Sequence, residues 1–208
     1  MRGITAVVFD LGGVLVDWNP RHLYRKLFGD AAAMEDFLSR VCTPEWHGEA
    51  DRGRPMAEGI ALLCRRYPAM APLIQAYDAR WPEMFNGAIE GTVAIVNELK
   101  AAGCPLYALS NFPAEKFEEF EKVFDFIDAF DGILVSGREK LVKPDPRIYR
   151  LLLDRFGLRA EETVFVDDMP VNVEAARGIG LHAIRFQSPE QLRGDLHRLG
   201  LTEDKGHE

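Results

Sequence analysis

Short apolar runs that stop abruptly at polar residues are the feature that most constrains the fold of this 208-residue chain. The first run, residues 4–9, ends at Asp10, and Gly12 and Gly13 follow shortly after. Four similar runs lie at residues 105–109, 132–135, 163–166 and 182–186. Runs that are apolar throughout, rather than alternating, are typical of strands in a parallel sheet with both faces covered.

Amphipathic segments lie between these runs. Apolar residues at helical spacing predict one helix that ends near Gly103, a second that ends near Gly157, and a third over residues 170–179 that starts with a proline. Strands that alternate with helices indicate repeated βαβ units. We therefore predict an α/β fold with a doubly wound parallel sheet of the Rossmann type.

Residues 17–86 interrupt this alternation. The segment has helical apolar patterns, six prolines and no strand run. It predicts a small all-helical domain, residues 17–86, inserted after the first strand into a larger domain formed by residues 1–16 and 87–208. The polar C-terminus is expected to fray from about Thr202.

Composition limits the partners. The net charge is −8 and no long basic run is present, which argues against nucleic acid as a main partner. No apolar stretch reaches the roughly 20 residues of a membrane span, and the N-terminal apolar run is too short for a signal peptide. We expect a soluble cytoplasmic protein without a membrane or nucleic-acid partner.

Polar residues follow three of the predicted strands. They are Asp10, the pair Ser110–Asn111, and the pair Asp167–Asp168. Parallel α/β sheets bind ligands beyond the carboxyl ends of their strands. These side chains are therefore candidates for a common site, although a polar residue at one strand end could equally be a turn or cap.

Four segments carry a family resemblance. Residues 7–15, 109–111, 143–146 and 166–168 resemble, in order, the four motifs of the haloacid dehalogenase superfamily. Together they span nearly the whole chain. The resemblance implies a Rossmann-like core with a cap, and a Mg²⁺-dependent phosphatase that acts on a small phosphorylated metabolite. It is closest to a capped branch that acts on sugar phosphates, including glucose 1-phosphate.

The resemblance also implies catalytic roles. Asp10 would be the nucleophile, because a carboxylate can attack phosphorus and split hydrolysis into two easier steps. Lys143 would contact both the nucleophile and a phosphate oxygen. Ser110 and the backbone amide of Asn111 would donate hydrogen bonds to the phosphoryl group and so bind substrate.

Magnesium would neutralise charge around the transferred group. Its expected direct ligands are Asp10, Asp168 and the backbone carbonyl of Gly12. Asp167 would either bind the metal or orient Asp168. Asn172, four residues after Asp168, would bind a metal-bound water.

Gly12 departs from the family pattern. Phosphatases of the superfamily usually carry an aspartate at this position, which protonates the leaving group, and a glycine cannot do so. The leaving group of a sugar 1-phosphate depends less on protonation. Asp17 and His47 are candidates to replace the missing acid.

Two other functions stay open. A 2-haloacid dehalogenase would need no second aspartate, but Asp167 and Asp168 beside the nucleophile would then be buried without a cation. A catalytically silent binding protein is the third possibility.

The predicted cap contains a polar stretch with Trp46, His47, Asp51 and Arg52. We expect Trp46, His47 and Arg52 to contact the substrate, with Asp51 in the same cluster. The alternative is an exposed loop between helices.

Overall fold

Five parallel strands form the central sheet of the computed structural model, which describes residues 3–202. The strand order is β5-β4-β1-β6-β7, and β2 pairs separately with β3 in antiparallel orientation. This arrangement confirms the predicted doubly wound α/β fold. The strands are β1 (Ala6–Phe9), β2 (Val16–Trp18), β3 (Phe85–Ala88), β4 (Leu106–Ser110), β5 (Gly132–Val135), β6 (Thr163–Asp167) and β7 (His182–Arg185).

Eleven α-helices among the described residues surround these strands. Five lie within residues 17–86: α1 (Pro20–Tyr24), α2 (Ala31–Arg40), α3 (Pro44–Asp51), α4 (Met56–Arg66) and α5 (Ala71–Ala79). Six belong to the rest of the chain: α6 (Glu90–Ala101), α7 (Ala114–Phe120), α8 (Ser136–Glu139), α9 (Pro146–Phe156), α10 (Pro170–Gly178) and α11 (Pro189–Arg198). The three helices predicted from periodicity are α6, α9 and α10.

Helix α9 shows how local sequence sets these boundaries. The Asp145 side chain accepts a hydrogen bond from the Arg147 backbone amide, which caps the first turn next to Pro146. Gly157 ends the helix in the left-handed conformation, with φ of 63°. Apolar residues at helical spacing and the glycine at the end are the signals that predict this helix, and the structure adds the capped start at Pro146.

Alternate residues of the central strand point to opposite faces of the sheet. Val7 and Phe9 belong to one buried apolar cluster, with Ile95 of α6 and Leu192 of α11. Val8 belongs to a second buried cluster on the other face, where helices α9 and α10 pack. Both faces are therefore covered, which explains why the strand sequences are apolar throughout.

Both ends of the 17–86 segment are strands. Val16 pairs with Ala88 and Trp18 with Phe85, so the prediction that this segment is all-helical is wrong at its ends. Strands of three and four residues are too short to show a period. The helices of the segment share the larger apolar cluster with the core, and the division into domains at residues 16 and 87 stays a prediction.

The remaining sequence predictions concern the termini and the membrane. Thr202 donates a hydrogen bond to the backbone oxygen of Arg193, and the rest of the segment predicted to fray, residues 203–208, lies outside the described residues. Within residues 3–202, no helix combines the length and apolar character that crossing a membrane would require.

Ser136, the first residue of α8, fixes α3 to the core. Its hydroxyl is fully buried, donates to the Asp51 backbone oxygen at 2.7 Å and accepts from the Phe112 backbone amide at 3.0 Å. A second contact joins the segments where the Met56 amide donates to the Glu115 carboxylate at 2.6 Å. The end of α3 is thereby held at the edge of the sheet.

Replacing Ser136 by alanine should destabilise the protein by about 1–3 kcal/mol, because two buried backbone groups lose their partner. The free energy of unfolding from urea denaturation measures the effect. Ser39→Ala is the matched control, since the exposed Ser39 hydroxyl bonds only within its own helix. Equal, small effects of the two substitutions would contradict the assigned role of Ser136.

Candidate active site

The parallel strand ends bring three acidic side chains together. Phe9 of β1 is in register with Val166 of β6, so Asp10 and Asp167 follow at the same sheet edge. Asp10, Asp167 and Asp168 each offer a carboxylate oxygen, and these oxygens all lie within 4.8 Å of one another. Such an oxygen cluster is the donor set that Mg²⁺ prefers.

Lys143 lies between two of these acids. Its Nζ atom is 2.8 Å from Asp10 Oδ2 and 2.7 Å from Asp167 Oδ2, and the residue is 3% exposed. The Asn111 side chain holds the Lys143 backbone from both sides, donating to its oxygen at 3.0 Å and accepting from its amide at 2.8 Å. Asn111, which directly follows β4, thus orients Lys143. The sequence analysis did not predict this role for the Asn111 side chain.

Burial dominates the protonation of the site. It raises the pKa of Asp10 to about 7, against the opposing effect of Lys143 and with a further increase from Asp167 and Asp168. Burial and the Asp167 charge likewise raise the pKa of Asp168. For Lys143, burial lowers the pKa, but the charges of Asp10 and Asp167 outweigh it and raise the pKa overall. One ammonium therefore leaves negative charge uncompensated, and a divalent cation would offset it.

Asp167 is already saturated with hydrogen bonds. Its Oδ1 accepts from the Met169 amide and from Asn172 Nδ2, and its Oδ2 accepts from Lys143 and Asn172. A carboxylate has about four acceptor positions, and all four are in use. This contact set favours Asp167 as the residue that orients its neighbours, and the Asn172 amide nitrogen points to Asp167.

Gly13 leaves the space that Asp168 occupies. Its φ is +74°, and a Cβ atom there would lie 2.6 Å from Asp168 Oδ2. The backbone turn after β1 therefore lets the Asp168 carboxylate approach Asp10. A Cβ atom on Gly12, in contrast, would have no heavy atom within 4 Å. The cradle at Gly13 and the three carboxylates fit a magnesium ion.

A cavity of about 270 Å³ lies in front of this cluster. The core contributes most of its wall, and residues 17–86 contribute aromatic rings and one acid from the opposite side. The lining residues are Asp10, Gly12, Gly13, Trp18, His47, Asp51, Trp81, Ser110, Asn111, Phe112, Pro113, Lys143, Asp168, Met169 and Asn172.

Helix α3 divides the predicted cap residues between two sides. The stretch predicted as a cluster between helices is itself helical, because Thr43 caps its start and Pro44 follows. His47 and Asp51, four residues apart, share the face that lines the cavity. Trp46 and Arg52 do not line it: Trp46 packs on Tyr77, and the Arg52 side chain is 52% exposed.

His47 stacks against two indole rings that also contact each other. Its ring centroid lies 5.0 Å from that of Trp18 and 5.5 Å from that of Trp81. Burial, with a smaller effect of Arg54, lowers the pKa of His47 to about 4. The imidazole is therefore neutral near pH 7, and its Nε2 lies 3.5 Å from Asp51 Oδ1.

Asp17 lies away from the cavity wall. Its Oδ2 accepts from Asn86 Nδ2 at 3.1 Å and lies 3.1 Å from His22 Nε2. Although burial raises its pKa, the hydrogen bonds of His22 and Asn86 lower it overall. These contacts describe an acid in the middle of β2 that joins this strand to β3.

Several cavity residues had no signal in the sequence analysis. Trp18 and Trp81 belong to no motif, and Phe112 and Pro113 follow the second motif without a polar group. Met169, 49% exposed, was also missed. Only the fold shows that they surround the same space.

Comparison with known proteins places the chain among enzymes. The family model described as haloacid dehalogenase-like hydrolase matches residues 4–180. The chain is 28% identical over 192 residues to the sesquiterpene phosphatase of Aspergillus oryzae, covering 85% of this chain and 86% of that protein. It is 27% identical over 201 residues to the phosphorylated carbohydrates phosphatase of Thermotoga maritima, covering 93% and 86%. Two other curated relatives are longer, and the chain spans 19% and 38% of their length.

Solved structures share the fold. A HAD family enzyme of Bacteroides thetaiotaomicron, in complex with magnesium and inorganic phosphate, superposes with a TM-score of 0.70 at 23% identity, covering 89% of this chain and 96% of that one. Dehalogenases are also among the structures with this fold, so the fold alone does not distinguish the two reactions. The match of the family model over most of the sequence establishes that the chain belongs to the haloacid dehalogenase-like hydrolases.

Proposed function

We propose that the protein is a Mg²⁺-dependent phosphatase that hydrolyses a small phosphate monoester through an aspartyl-phosphate at Asp10. The observation that carries this proposal is the buried cluster in which Lys143 bridges Asp10 and Asp167 while Asp168 stands beside them. A carboxylate nucleophile, a fixed cation and a further carboxylate for metal binding are the groups that phosphoryl transfer requires.

The chain's own residues divide the reaction between them. Asp10 attacks phosphorus, the bond to the leaving oxygen breaks, and the phosphoryl group becomes attached to the Asp10 carboxylate. Lys143 offsets negative charge on the nucleophile and on the phosphoryl oxygens. Ser110 and the Asn111 amide stand at the end of β4 as donors to those oxygens. Water then hydrolyses the aspartyl-phosphate and restores Asp10.

Asp10, Asp168 and the Gly12 carbonyl would hold magnesium, and Asp167 would orient Lys143 and Asn172. Bound magnesium supplies charge neutralisation that one lysine does not, and so favours the ionised form of Asp10. Without such a cation, the pKa of Asp10 near 7 leaves much of it protonated and unable to attack.

The substrate we propose is a sugar phosphate, such as a sugar 1-phosphate. The cavity suits a small leaving group, and its wall includes four residues with polar side-chain atoms: Trp18, Trp81, His47 and Asp51. Hydroxyl groups of a sugar can supply partners for such atoms. The carbohydrate phosphatase from Thermotoga maritima supports the same substrate class.

The dehalogenase alternative fits the cluster less well. A dehalogenase needs no metal, so its nucleophile would stand beside Asp167 and Asp168 with Lys143 as the only compensating charge within the cluster. Burial and these neighbouring acids raise the pKa of Asp10. The absence of an acid at position 12 is the one feature that favours halide as leaving group.

Asp10→Asn should abolish phosphate release, because an amide is not a nucleophile for phosphorus. A screen of sugar phosphates and nucleotides, run with magnesium and with EDTA, measures the activity of both proteins. We expect the wild type to be active only with magnesium, and Asp10→Asn to remain folded by circular dichroism and inactive. Full activity in EDTA, or chloride release from 2-chloropropionate without phosphatase activity, would contradict the proposal.

Gly13→Ala should weaken magnesium binding about 10- to 100-fold, because the added methyl group displaces the Asp168 carboxylate. Isothermal titration of Mg²⁺, or the Mg²⁺-dependent shift in melting temperature, measures the affinity without reference to turnover. Gly103→Ala is the matched control: its φ of +73° imposes the same backbone strain, but no atom lies within 4 Å of the new Cβ. Equal magnesium affinity in the two variants would be inconsistent with a metal site at Asp168.

A further inference from the structure

The proposed mechanism leaves one buried acid of the cavity unused. Asp51, the last residue of α3, is 8% exposed and lines the cavity opposite the strand ends. Its Oδ1 accepts no hydrogen bond from the described residues. A buried carboxyl group without a partner is costly unless it serves a ligand or a reaction.

The position of Asp51 is fixed relative to the nucleophile. Its backbone oxygen accepts the 2.7 Å hydrogen bond of Ser136, which belongs to the core. The charge of Lys143, which contacts Asp10, is near enough to lower the pKa of Asp51. Asp51 therefore lines the same cavity as Asp10 and Lys143, in a wall that Ser136 fixes to the core.

The surroundings of Asp51 favour a carboxyl group that holds a proton near neutral pH. Burial raises its pKa to about 7, against smaller opposing effects of Arg52 and Lys143. His47, on the same face of α3, is neutral and 3.5 Å away. An acid whose pKa lies near the working pH suits proton transfer in both directions.

We propose that Asp51 is the general acid and base that Gly12 does not provide. This inference rests on the phosphatase function proposed above. As Asp10 attacks, the bond between phosphorus and the ester oxygen breaks, and that oxygen takes its electron pair and the proton of Asp51. Water then attacks the phosphorus of the aspartyl-phosphate and gives a proton to the Asp51 carboxylate. The Asp10–phosphorus bond breaks, inorganic phosphate leaves, and both acids return to their starting state.

The other two candidates meet the requirement less well. His47 at a pKa of about 4 has no proton to give from an imidazolium near pH 7. Asp17 lies off the cavity wall, bound to Asn86. Among the titratable groups that line the cavity, Asp10, Lys143 and Asp168 already have roles, which leaves Asp51.

Leaving-group dependence tests the proposal. Asp51→Asn keeps the size of the side chain but removes the acid, so we compare its single-turnover release of the leaving group with that of the wild type, both with saturating Mg²⁺. One substrate is p-nitrophenyl phosphate, whose nitrophenolate leaves without a proton. The other two are phenyl phosphate and a sugar 1-phosphate, whose leaving groups depend more strongly on protonation. Glu49→Gln, an exposed carboxylate of the same helix, is the control.

We expect Asp51→Asn to slow phenyl phosphate and sugar phosphate cleavage by about 100- to 10,000-fold, with the loss for p-nitrophenyl phosphate under about 10-fold. Retained p-nitrophenyl phosphate cleavage also shows that the variant is folded. Equal losses on all substrates, no loss on any, or weaker substrate binding with an unchanged single-turnover rate at saturating substrate would each overturn the proposal. Failure of the phosphatase function would differ, since the wild type itself would then cleave none of the esters.

Discussion

The contact of the Lys143 ammonium with Asp10 and Asp167 is the interaction on which the site depends. Two carboxylates at one sheet edge repel each other and resist burial, and a lysine between them makes the arrangement tolerable. Because Asp168 adds a third negative group, a single ammonium leaves a net negative charge. A bound cation would offset that residual charge, and the Asn111 clamp on the Lys143 backbone keeps the lysine in place.

The sheet and its strand ends were predictable because their signals are local. A strand buried on both faces must be apolar along its whole length, and its polar end residue then stands out, as Asp10 does after β1. The wall formed by residues 17–86 was not predictable in the same way. Trp18 and Trp81 are large apolar residues of the type that fills a core. Only the tertiary packing shows that their rings bound the cavity.

Helix α3 shows that residue type alone does not predict which side chains face the cavity. Four residues of one polar stretch were candidates, and the helix turns His47 and Asp51 to the cavity while Arg52 remains exposed. Sequence alone gave the residue types but not the face, because the face depends on the Ser136 contact that docks the end of the helix. The starting signals, Thr43 and Pro44, were present and would have predicted the helix itself.

The two glycines after Asp10 meet opposite structural demands. Gly13 is required, since a side chain there would collide with Asp168, whereas Gly12 faces open space and could carry one. Packing therefore does not explain the missing acid at position 12.

If Asp51 supplies the proton, the core holds the phosphoryl group and α3 holds the leaving group. One helix face then both selects the leaving group, through His47 and its indole neighbours, and protonates it. Cleavage would depend on the same contact with Ser136 that holds the end of α3 to the core.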